Sequence, residues 1–262
     1  MGFIAEFKNC LLDYKYWSYF SLINTKIKYR DSVIGPFWNI ISQTILILAI
    51  AFGYSSFFNN KNLIDFIYYI ALGLFAWTFV INCLNDSSSI LDNKKNIILE
   101  QNINIKFFIF ELIFSNFIIY LHSFVVIFFL FFISSIKINI YFLLSFLGLI
   151  IILINIIFLS YSIMILSVIF KDIKKILENL LLILFFSTPI IWSEELMNEK
   201  LKFILNFNPS YHFLNIFKNP LLDKIDQQYF YSLLASFIIS ILTIAISYYI
   251  QKKYEKTVKL YL

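Results

Sequence analysis

The chain has 262 residues, 60% of them hydrophobic and only 14% charged, with a mean hydropathy of +0.80. A soluble domain is about 45–50% apolar and about 25% charged, so this excess cannot be hidden in one core, and lipid must be the solvent for most of it. The formal charge is +5, from 21 Lys+Arg against 16 Asp+Glu. Arg30 is the single arginine, a bias that reads as AT-rich codon usage rather than chemistry.

Residues 1–36 place Phe3, Ile4, Phe7, Cys10, Leu11 and Tyr14 at helical spacing, with Glu6, Lys8, Asp13 and Lys15 mostly off that face. This pattern predicts a helix lying in the membrane interface. Trp17, Tyr19 and Phe20 carry the apolar character on towards the membrane, and Gly35-Pro36 ends the approach. The charge scattered here interrupts any continuous apolar core of the signal-peptide type. Cys10 and Cys83 fall in different segments without metal-ligand spacing and read as small buried hydrophobes.

Crossing a bilayer core takes about 20 apolar residues as a helix. Six runs qualify: 37–60, 66–85, 107–136 (interrupted by Glu111 and His122), 138–170, the shorter 176–193, and 229–251. The fold class is therefore an all-α membrane protein, a single transmembrane domain over 1–262 with six transmembrane helices. With the N-terminus inside, 15 of the basic residues fall on the inner side and six outside, so both termini are expected in the cytoplasm.

Two connectors are longer than a plain loop needs. The inner loop 86–106 mixes Ile90, Leu91, Ile97, Ile98 and Leu99 with charges of both signs, and Asp92 is placed to cap a short helix running through Glu100. Such a helix is a docking surface. The outer segment 194–228 opens on Glu194-Glu195, read as a solvated start, and contains fifteen mainly apolar residues from Phe203 to Phe217 around Pro209. That is too short to cross and fits two half-helices dipping into the outer leaflet.

No catalytic chemistry stands out. The five glycines, at 2, 35, 53, 73 and 148, form no phosphate-binding loop, so the chain is not expected to bind ATP itself. His122 and His212 are far apart in sequence, and neither a nucleophile elbow nor a paired acidic site is visible. Glu111 lies near the cytoplasmic end of its span, where Lys106 is placed to snorkel to it; a structural or docking use outweighs ion transport. His122 fits a neutral ring hydrogen-bonded to Ser123 or a neighbouring span, and Glu178 belongs to a helix start. Aromatic residues reach 20%, which lipid-facing bulk and interfacial belts largely explain.

Several stretches together carry a resemblance. They are Lys28-Tyr-Arg-Asp-Ser-Val-Ile-Gly-Pro-Phe-Trp38, Ala71-Leu-Gly-Leu-Phe-Ala-Trp77, Phe170-Lys-Asp172, Thr188-Pro189, Asn208-Pro-Ser-Tyr-His212 and Pro220-Leu-Leu222. In order and spacing they resemble the type-2 permease subunit of polysaccharide-exporting ABC transporters, in the O-antigen, capsule and teichoic-acid class, most like lipopolysaccharide O-antigen export. The likeness covers essentially the whole chain. It departs from that pattern in lacking a Pro near Asn104–Ile105 and in carrying Glu111 and Ser115 where Arg is common, while Asn116 and His122 fit.

The resemblance implies a homodimer in the bacterial inner membrane, bound to two ATPase subunits that hold ATP and Mg, with no cofactor on this chain and no nucleic acid. ATPase docking falls on Asp86, Ile90, Asp92, Lys94, Lys95, Glu100, Lys171 and Asp172. A conduit for a polyprenyl-diphosphate-linked polysaccharide is lined by Trp38, Phe52, Tyr54, Phe185 and Phe186, each equally well read as lipid or helix packing. An outer gate is formed by Pro189, Trp192, Pro209, Tyr211 and His212. The rivals are a small-lipid or drug exporter permease of the same fold, a membrane-embedded glycan-modifying transferase, for which no polar cluster is visible, and a mere anchor, which leaves the elaborate connectors unexplained.

Overall fold

A computed structural model describes residues 2–35, 37–54, 63–101, 103–136, 139–194 and 197–261. Pro36, the last quarter of the first predicted span (55–60), Lys61, Lys137 and Glu195 lie outside the described residues, as does the side chain of Tyr54. Among the described residues all regular structure is helical.

The amphipathic start forms two helices, α1 (Phe3–Leu12) and α2 (Tyr14–Lys28), hinged at Asp13. Phe7 and Cys10 are the buried face of α1, as the spacing requires. After Gly35, held at φ +62°, come α3 (Phe37–Tyr54), α4 (Leu63–Ser87), α5 (Ile90–Gln101) and α6 (Ile105–Ile133). A 3₁₀ turn at Ile140–Phe142 leads into α7 (Leu143–Ile169), followed by α8 (Ile173–Ser187). Two shorter helices, α9 (Glu199–Leu205) and α10 (Pro209–Leu221), precede α11 (Gln227–Tyr261).

Four segments are long and apolar enough to cross a membrane: Leu63–Ser87, Ile105–Ile133, Ile140–Ile169 and Gln227–Val258. The apolar part of α3, Phe37–Gly53, is shorter, and so is α8, which starts three residues before its predicted run and stops at Ser187 rather than Ser193. Thr188-Pro189 ends α8 because proline has no N–H to continue the ladder and holds the residue before it out of the helical region.

The most extensive helix pair is α7 on α11. Its seam is polar: Asn155 donates to Ser240 Oγ at 2.7 Å and accepts from Thr243 Oγ1 at 3.0 Å, while Ser162 and Ser247 meet at 2.8 Å. Ser232, Ser236, Ser240, Thr243 and Ser247 are all buried along one stripe of α11. Lipid tails give helices no hydrophobic reason to associate, so small hydroxyl residues that allow close approach hold such a seam together. At the far end Asp65 accepts from the backbone N–H of Ser135 at 2.8 Å and from its hydroxyl, stapling α4 to α6.

Candidate functional site

Two regions carry unusual chemistry: the charged end around α5, and the outer segment around α10. The first begins with α5. It starts at Ile90, so Asp92 sits in the first turn and does not cap the helix as its position in the sequence suggested. Ile90, Leu91 and Ile98 point inward, and α5 packs on α4, α6 and α7. Asp92, Lys95, Ile97, Leu99 and Glu100 are exposed, a mixed apolar and charged face with no cover inside the protomer.

Of the predicted docking residues, the structure brings Asp92, Lys95 and Glu100 onto that face. Ile90 is buried and positions the helix, and Asp86 accepts a hydrogen bond from Asn116 at 3.0 Å. Lys94 turns back to Glu111, with Nζ 3.1 Å from Oε1. The same carboxylate takes Asn24 of α2, and the Glu111 carbonyl accepts from Ser21 at 2.7 Å. Glu111 therefore ties α2, α5 and α6 together. Lys171 and Asp172 are exposed in the short break between α7 and α8.

Lys106 does not reach Glu111, contrary to the sequence expectation. It is fully buried, 2.7 Å from Glu6 of α1 and 2.9 Å from Glu255 of α11, above the rings of Phe7 and Tyr161. Gln251 donates to both carboxylates, at 3.0 and 2.6 Å. Burial pushes the Glu6 carboxyl up, but the hydrogen bonds from Lys106 and Gln251 and the lysine's charge outweigh it and hold Glu6 below its ordinary value. A buried lysine between two carboxylates clasps the chain's amphipathic start to its last helix. Sequence reasoning missed this clasp because its members are about 100 and 149 residues apart.

The outer segment is built on two glycines. A Cβ on Gly148 of α7 would lie 2.5 Å from the Ile216 carbonyl of α10, and one on Gly73 of α4 would lie 3.1 Å from the Ile190 carbonyl. Bare backbone at these points lets α10 and the 188–194 strap sink against the bundle. Asn208 caps α10 by accepting the Ser210 N–H at 2.9 Å, with Pro209 in the first turn. At the other end Asp223 takes the left-handed position (φ 55°) and the Lys224 N–H returns to the Asn219 carbonyl at 2.9 Å.

Of the five predicted gate residues, Pro189 and Trp192 share one network, and Tyr211 and His212 make hydrogen bonds of their own nearby. The Pro189 carbonyl lies 3.1 Å from Lys218 Nζ and 3.2 Å from the Tyr69 hydroxyl, which also reaches the Trp192 carbonyl at 3.0 Å. The Lys218 amine stands 3.2 Å from the centroid of the Tyr69 ring. Its burial pushes its pKa well down, partly opposed by Glu194. The buried Tyr211 hydroxyl donates to the Glu194 carboxylate. His212, also buried, meets Ser232 Oγ at 3.2 Å and the Asn206 carbonyl at 2.8 Å, and burial lowers its pKa. Pro209 is exposed. Lys218 and Tyr69 were missed; the signal for Lys218 was a lone cation in the apolar run Ile216-Phe217-Lys218-Asn219-Pro220.

Of the predicted conduit residues, Phe185 and Phe186 meet within the protomer, their rings 5.2 Å apart. Trp38, Phe52 and Phe186 are exposed, whereas Phe185 packs on Trp77 at 6.2 Å. His122 bonds the Ile118 carbonyl of its own helix at 2.7 Å and meets the Phe37 ring edge-on, so its partner is neither Ser123 nor a polar group of another span. Both cysteines are buried and unpaired.

Long apolar helices, a charged helix with an exposed face at one end and a hydrogen-bonded strap around α10 define a membrane-embedded helical subunit. The chain belongs to the ABC-2 type transporter family, whose model matches residues 20–222. It is thus the permease component of an ABC transporter, a family that normally works with separate ATPase subunits. Comparison with curated proteins finds no match.

Proposed function

We propose that this permease moves a polyprenyl-diphosphate-linked polysaccharide, in the manner of O-antigen export, from the cytoplasm to the periplasm. Two copies form the channel in the bacterial inner membrane, and each docks one ATPase subunit that binds ATP and Mg. Six spans, α3, α4, α6, α7, α8 and α11, with both termini in the cytoplasm, agree with the lysine asymmetry.

The observation that carries this reading is the exposed state of α3 and α8. On α3 the side chains of Phe37, Trp38, Ile41, Ile45, Leu46, Leu48 and Phe52 are exposed, and on α8 those of Ile176, Leu180, Leu182, Ile183 and Phe186. Both helices pack chiefly on α4 and on one further helix, α6 or α7. A second copy set against these faces leaves Trp38, Phe52 and Phe186 to line a path wide enough for a polymer. Aromatic faces there support sugar rings by stacking without holding them tightly, as a sliding cargo requires. Deleting the gene in its host tests the substrate: surface polysaccharide is expected to disappear while its lipid-linked precursor accumulates inside, and unchanged surface polymer contradicts the proposal.

A further inference from the structure

We propose that the polar cleft beside the outer strap binds one sugar unit of the emerging polymer, an inference that rests on the polysaccharide reading above. The cleft, of about 540 Å³, lies between Glu194 of the strap, α9, the C-terminal end of α10 and the start of α11. Its most telling member is Asn219. That residue is only 9% exposed, yet its carboxamide makes no hydrogen bond among the described residues. As a lining residue it presents an amide whose donors and acceptor are available to whatever occupies the cleft.

The neighbouring groups are already held in place. Gln228 donates to the Asn206 carboxamide at 3.0 Å, Asp226 accepts the Tyr229 N–H at 2.9 Å, and Glu194 accepts the Tyr211 hydroxyl. Each keeps further donors or acceptors for a ligand. Carboxamides and carboxylates together suit vicinal hydroxyls, which donate and accept at once. Phe203, 63% exposed at the same cleft, offers an aromatic face for the C–H side of a pyranose. Lys202 and Lys224 balance Glu194 and Asp226, so the cleft suits a neutral polyol better than an anion. Among the described residues no three metal-ligating side chains converge. A sugar held here on leaving the membrane hinders the polymer from sliding back between ATP cycles.

Photo-crosslinking in cells that carry the whole transporter tests this. p-Benzoylphenylalanine is placed at position 203, where it preserves the aromatic platform, and separately at the exposed outer position 140. The denatured, purified permease is then probed for attached glycan by periodate oxidation. A glycan adduct is expected from position 203 well above that from 140. Asn219→Leu should lower it about fivefold, the worth of one hydrogen bond. Where that variant reduces the amount of permease, Asn219→Ser carries the same expectation. Equal adducts at both positions, or an adduct indifferent to Asn219, overturns the proposal. Deletion of the gene separates the two readings: if surface polymer is lost but position 203 captures nothing, the cleft alone is wrong, whereas unchanged surface polymer removes the polysaccharide reading itself.

Discussion

Lys106 shows how much single side chains decide at the charged end of this protein. Removing its amine leaves Glu6 and Glu255, with side chains 27% and 30% exposed, facing each other without their shared cation, a loss below the about 3–5 kcal/mol of breaking a fully buried pair. Lys106→Met is therefore expected to lower the thermal midpoint of the detergent-solubilised permease, and adding Glu6→Gln should restore part of the loss. The pH dependence follows from the direction of the Glu6 shift. A carboxyl held below its ordinary value of 4.5 contributes stability in full above that value, and the contribution fades as pH falls through the lower folded value. Acid unfolding curves should show this loss in wild type and not in Glu6→Gln. His212 acts at higher pH: its lowered pKa means that stability is lost as pH falls below 6.5, a component that His212→Gln should remove. At Gly148 the constraint is steric. A methyl group 2.5 Å from the Ile216 carbonyl must displace backbone, so Gly148→Ala should cost about 2–3 kcal/mol. Gly73→Ala, with its 3.1 Å contact, should cost less, and thermal midpoints of the two variants rank them.

At the scale of elements, the amphipathic spacing of residues 3–14 is enough to bring Phe7 and Cys10 to the buried face of α1, and the mixed pattern of 86–106 is enough to mark α5. The partners of Lys94, Lys106 and Glu111 were not legible, because each lies on an element remote in sequence and charge alone does not choose among several carboxylates at one interface. The α11 stripe was legible in principle: Ser232, Ser236, Ser240, Thr243 and Ser247 recur at helical spacing, but a hydrophobicity count passes over them. Their use predicts that Asn155→Leu, which breaks the contacts to Ser240 and Thr243, destabilises the permease by about 1 kcal/mol, the modest worth of hydrogen bonds inside a membrane. A denaturation series in mixed detergent micelles measures it. The stop of α8 at Ser187 was misplaced in the sequence because Ile190, Ile191 and Trp192 continue the apolar run although the helix has ended; Ile190 packs against Gly73.

In the whole molecule Lys106 and Glu111 clasp one end, the 188–194 strap packs on the bundle, and α3 and α8 expose apolar faces. A second copy on those faces predicts a dimer in mild detergent. Ile183→Lys on the exposed face of α8 should shift it towards monomer in native mass spectrometry without loss of membrane insertion. The family was legible from the order of short motifs, whereas the proposed cargo is not, because no motif of the sequence encodes the width of a path between chains. The most direct measurement is co-purification of the permease with its ATPase subunit, comparing wild type with Lys95→Glu. Lys95 is the cation to reverse, because Lys94 is committed to Glu111 and its reversal would damage the permease itself. A stoichiometric complex that Lys95→Glu weakens, with the permease still folded, is the predicted result. A permease that purifies without the ATPase, or a complex indifferent to the exposed face of α5, would contradict the account.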